Sequence, residues 1–95
     1  MMVLALPAQL TLAEASACLR QLAQGLSEQS TGVALDASAL TRFDSAALAV
    51  LLELRRQSLA RGLGFSVLGL PAPLASLAAL YGVSDLLGQA SAAKR

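Results

Sequence analysis

Histidine and tryptophan are absent from this chain, and cysteine occurs once. Without His the sequence lacks the commonest general base and metal ligand, and no His-dependent catalytic triad can be built. The lone Cys18 excludes an internal disulfide and gives no sign of an oxidising compartment, which fits a cytoplasmic protein. Phe43, Phe65 and Tyr81 are the only aromatics, too few to stack a run of nucleic-acid bases. Charge is sparse too: seven basic against six acidic side chains leave a net +1, which neither steers a polyanion nor marks a disordered tail. Long hydrophobic runs are missing. The longest, Ala46–Leu52, falls far short of the roughly 20 residues a membrane span requires. The N-terminus has no basic region, and its apolar run stops at Pro7, so no cleaved signal peptide is expected.

What is present is alanine and leucine in quantity, and an apolar fraction of 56%. Ninety-five residues suit one domain with a modest core, with 89–95 as a polar, Ala/Ser-rich tail expected to fray. Val3–Leu10 reads as a strand interrupted by Pro7, which cannot donate to a ladder and so places it at a sheet edge or a bulge. Thr11-Leu-Ala-Glu14 is a capping-box pattern. Leu12, Ala15, Ser16, Leu19, Leu22, Ala23 and Leu26 then recur at helical spacing, with Cys18 at the margin of the stripe as a small half-buried thiol. Val33–Leu35 is short, apolar and ends at Asp36, as a central strand covered on both faces would be. Asp36 is assigned to capping the loop that follows. Gly64–Leu70 is a third strand, Pro71 and Pro73 open a helix with a stripe of Leu74, Leu77, Ala78 and Tyr81, and Ser84–Leu87 adds a last helical turn. The order β-α-β-α-β-α predicts an α/β domain with a small, mainly parallel sheet. Gly62-Leu-Gly64 precedes a strand instead of following one, so it is not a phosphate loop, and no cofactor or metal site is indicated.

The stretch Leu40–Glu53 carries the functional signal. It leaves a loop, turns on Asp44 and Ser45, either of which could cap a helix, and continues as a helix rich in small residues at its start. On a wheel of about 100° per residue, Leu48, Leu51, Leu52 and Leu59 point to the sheet and Glu53, Arg56, Gln57 and Arg61 point away. Ala46, Ala49 and Val50 fall on the exposed side, an apolar patch of small side chains on a charged face, as a docking surface would show. Asp36, Asp44 and Ser45 could meet at one end of the sheet, but no His or Lys in the stretch can activate Ser45, so an enzyme is not expected.

Val33-Ala-Leu-Asp-Ala-Ser-Ala-Leu-Thr-Arg-Phe-Asp-Ser-Ala-Ala-Leu resembles the strand, loop and Asp-Ser/Thr helix start of the STAS family, the sulfate-transporter and anti-sigma-factor-antagonist domain. Gly64–Leu70 and Leu77-Ala-Ala-Leu-Tyr-Gly-Val-Ser-Asp-Leu-Leu fit the strand and helix that follow. The resemblance implies a non-catalytic domain that binds a protein. In anti-sigma antagonists the second position after the Asp is a phosphorylated serine; here it is Ala46, and the usual Gly is Ala47. Asp44-Ser45-Ala46 looks more like the MlaB branch, the cytosolic subunit of a bacterial phospholipid-transport ABC complex. That likeness implies docking on the ATPase subunit through Asp44, Ser45, Ala46, Ala49, Val50 and Glu53, with the protein held at the inner membrane only through its partner. The alternative it implies is an anti-sigma-factor antagonist using Ser45 as phospho-acceptor. The N-terminus looks shorter than is usual in the family, so the first family strand is expected to be truncated or missing.

Overall fold

The computed structural model describes residues 2–26 and 31–87. Three parallel strands, β1 (Met2–Ala5), β3 (Gly32–Asp36) and β5 (Gly64–Leu68), lie in the order β1-β3-β5. The register places Met2, Val33 and Phe65 in one row and Leu4, Leu35 and Val67 in the next. These rows face the core, whose buried cluster includes Val33, Leu35 and Val67 with Met2, Leu4 and Phe65 packed at its margin. As the sequence predicts, β3 is central and its Val33, Ala34 and Leu35 are buried.

Pro7 splits the expected first strand. The chain leaves β1, turns through Leu6–Ala8 and forms β2 (Gln9–Leu10), which pairs in parallel with β4 (Arg42–Phe43) as a separate ladder. β2 is the part of the expected Val3–Leu10 strand beyond Pro7, whereas the two-residue β4 has no periodicity to read and was not predicted.

Helix α1 (Leu12–Gln24) starts as a capping box: Glu14 accepts from the Thr11 N–H at 2.8 Å and from its hydroxyl at 2.6 Å. Both bonds hold the Glu14 carboxyl below the usual carboxylate range. Helix α2 (Ser45–Ala60) packs beside α1, and helix α3 (Ala72–Leu80) leads to the 3-10 turn Ser84–Leu87, which also rests on α2. Cys18 is more deeply buried than expected, and burial pushes its thiol pKa up. Leu74 and Ala78 anchor α3, but Tyr81, placed on its apolar stripe by spacing, is 55% exposed at the helix end. The predicted tail 89–95 lies outside the described residues.

Two glycines show what the turns demand. Gly62 and Gly69 both have positive φ, 76° and 65°. A Cβ on Gly62 would meet open space, whereas one on Gly69 would come within 3.1 Å of the Ser38 Cβ and 3.3 Å of its backbone. Gly62→Ala is therefore expected to cost about 1 kcal/mol from conformation alone. Gly69→Ala is expected to cost about 2 kcal/mol, because the loop after β3 must also move. Urea denaturation of the two variants side by side checks the difference.

Candidate functional site

The candidate site forms where α1 and α2 begin. Asp44 sits just outside α2 in extended conformation and caps it, its Oδ1 accepting from the Ala46 N–H at 2.8 Å. This settles which of the two candidates is the cap. The other oxygen, Oδ2, accepts from the Leu12 N–H of α1 at 3.2 Å, so one carboxylate serves two helix starts. Each start offers N–H groups with no partner inside its helix, and a carboxylate there also meets the favourable end of the helix dipole.

Leu12, Ala15, Asp44, Ser45, Ala46 and Ala49 line an open groove of ≈ 380 Å³ across this junction. Ser45 and Ala49 are exposed and Ala46 is half-buried. The exposed Ser45 hydroxyl has no hydrogen-bond partner among the described residues. Leu12 rises beside them, 78% exposed. Spacing placed it on the core stripe, but as the first helical residue it projects past the last layer of packing. Its position directly after the Thr11 cap was the signal that could have shown this.

Val50 is a correction. It is only 3% exposed and belongs to the core. Leu59, predicted to face the sheet, is 47% exposed. The buried side of α2 is made by Ala47, Leu48, Val50, Leu51, Leu54 and Ser58. α1 grips the helix on one side and the 3-10 turn on another, so its buried arc is wide, with Ala47 and Ser58 lying among Leu51 and Leu54 at its centre. Ser58 fits there by donating its hydroxyl to the Leu54 carbonyl at 2.7 Å.

Glu53 is half-buried one helical turn beyond Ala49. Hydrogen bonds from Arg56, and then from Gln57, lower its pKa to about 2. Because the folded pKa lies below the unfolded one, this contribution to stability is present above about pH 4.5 and is lost as pH falls toward 2. Arg56 is exposed and Glu53 only half-buried, so solvent screens the pair and the effect is small. The stability gap between wild type and Glu53→Gln is expected to narrow over that window in acid denaturation.

Asp36 performs the structural task assigned to it. Its Oδ1 accepts from the Ser38 N–H at 2.9 Å and from the Ser38 hydroxyl at 2.6 Å, which closes an Asx turn and lowers its pKa. It lines no part of the groove. Among the described residues no cluster of acidic, Cys or His side chains could hold a metal, and no helix is long and apolar enough to cross a membrane.

The fold is that of a STAS domain. The structure superposes on the STAS domain of the SulP transporter from Vibrio cholerae with a TM-score of 0.63 at 16% identity, covering 90% of this chain and 68% of that one. The sequence profile of the family described as "Mlab, STAS domain" matches residues 1–88, and the chain belongs to that family. No match was found among curated proteins. STAS domains are regulatory, protein-interacting and generally non-catalytic.

Proposed function

We propose that this chain is a non-enzymatic regulatory and assembly subunit that docks, through the paired starts of α1 and α2, on the ATPase subunit of a phospholipid-transport ABC complex. The observation that carries the reading is the groove itself. Its alanine floor (Ala15, Ala46, Ala49) admits close approach, the exposed Ser45 hydroxyl offers a specific hydrogen bond, and Leu12 supplies an apolar anchor at the rim. Membership of the MlaB-like STAS family supports the choice of partner. In this reading the protein sits on the cytoplasmic face of the inner membrane through its partner. Glu53 lies at the far edge of the surface as a polar rim, and Val50 contributes from beneath by holding Ala46 and Ala49 in place.

The exposed Ser45 hydroxyl also favours a second reading, an anti-sigma-factor antagonist phosphorylated at that position. Affinity capture from the native cells separates the two. Wild type is expected to retain an ABC ATPase, and Ala49→Arg to weaken that binding by about 100-fold, roughly 2.7 kcal/mol, with an unchanged melting curve. Undiminished binding by Ala49→Arg sinks the docking site. Capture of an anti-sigma kinase, with phosphate on Ser45 by intact-mass measurement, establishes the second reading instead.

A further inference from the structure

Leu59 belongs neither to the core nor to the groove, yet it is a large apolar side chain left exposed near the end of α2. The arc of the helix on which it lies continues the docking surface. At about 100° per residue, Ser45, Ala49, Leu52, Arg56 and Leu59 fall within about 80° of one another around α2. The opposite arc, with Ala47, Leu51, Leu54 and Ser58, is the buried one. Ser45, Ala49, Arg56 and Leu59 are exposed and Leu52 is half-buried, so the stripe runs down the outer side of α2 from the groove. Arg56 does not cover it. Its Nε donates to Glu53 Oε1 at 2.9 Å, and Glu53 leaves the helix on the other side of Arg56 from Leu52 and Leu59. α1 offers no such continuation: past Ala15 its exposed side chains are Ser16, Ala17, Arg20, Gln21 and Gln24.

We infer that the ATPase subunit covers this stripe as well as the groove, with an amphipathic helix laid along α2. The inference rests on the docking reading given above and extends it to Leu52 and Leu59. The groove presents six residues, whereas stable interfaces engage roughly 20–30 on each side, so a partner seated there must reach further. α2 is the helix whose outer side stays apolar beyond the groove. The stripe is straight and about 20 Å long from Ser45 to Leu59. Its apolar positions at 49, 52 and 59 recur at the three- and seven-residue spacings by which one helix packs along another. Ser45 and Ala49 are small and let a partner backbone come close, while Leu52 and Leu59 reach outward to fill the space farther along. Arg56 and Glu53 form a salt bridge with each other, so the stripe carries no net charge to draw a phosphate backbone or an anionic membrane. An apolar helix face is what fits it.

Calorimetric titration with the purified ABC ATPase that wild type retains, combined with photo-crosslinking from benzophenone side chains placed at positions 52 and 59, tests this. Leu59→Arg is expected to weaken binding about tenfold with an unchanged melting curve. Leu80→Arg, at a still more exposed leucine on α3, is expected to leave binding unchanged. Crosslinks from positions 52 and 59 are expected on one face of a single helical segment of the ATPase. Full binding by Leu59→Arg while Ala49→Arg loses it overturns the inference and leaves the groove as the docking site. An equal loss with Leu80→Arg overturns it too, as do crosslinks that fall on separate segments or on a second copy of the chain. Full binding by both Leu59→Arg and Ala49→Arg removes the docking reading and this inference with it.

Discussion

Val50→Asp is expected to unfold the domain, whereas Ala49→Asp, one residue earlier, is expected to leave the fold intact and remove only docking. Val50 is 3% exposed within the cluster that joins α2 to the rest of the core, while Ala49 faces the groove. An unpaired carboxylate at Val50 would lose its water and gain no partner, at a cost of more than about 4 kcal/mol, a large share of the 5–15 kcal/mol that stabilises a typical domain. At Ala49 the same carboxylate stays hydrated. Circular dichroism of the two variants should show a lost or strongly lowered transition for the first and a wild-type transition for the second. Two folded proteins would mean that α2 is rotated about its axis relative to the arrangement described here.

The second large effect is expected at Asp44. A helix cap replaced by Ala ordinarily costs about 1 kcal/mol. Here the same carboxylate also holds the Leu12 N–H of α1, so Asp44→Ala frees donors at both helix starts and is expected to cost about 2–3 kcal/mol. For a domain of this size that lowers the melting temperature by roughly 10–20 °C. Asp44→Asn keeps an oxygen for only one of the two N–H groups and should fall between. Amide exchange should rise at Leu12 and Ala46 together in Asp44→Ala. A rise at Ala46 alone would reduce Asp44 to an ordinary cap.

The elements most easily read in the sequence are those with local causes. Pro7 interrupted a strand, the Thr11–Glu14 pair began a helix, and Val33–Leu35 read as the middle of a sheet. The family was legible for a similar reason, because its fingerprint lies in one continuous stretch from Val33 to Leu48. The facing of α2 was not. Apolar side chains occur all around its first turns, so no wheel could choose among directions, and the choice was made by α1 and the 3-10 turn, which arrive from distant parts of the chain. The dual role of Asp44 was hidden for the same reason, since its second partner is 32 residues away in sequence. Of the residues the sequence put at the start of α2, Asp44, Ser45, Ala46 and Ala49 line the groove, Val50 lies under it, and Leu12 was added by the structure.

The order of the strands explains why the site is where it is. Open α/β sheets commonly hold their ligands where successive strands change the direction in which they are laid down, because the loops on either side of that reversal part and leave a crevice. From β1 to β3 to β5, each main-sheet strand is added on the same side of the last. Neighbouring loops around the three described strands therefore do not part at a reversal of strand order. What such a layout offers instead is two crossover helices side by side, with their first turns level at one end. In the proposed function it is the seam between those helix starts that a partner grips, as an edge rather than a crevice.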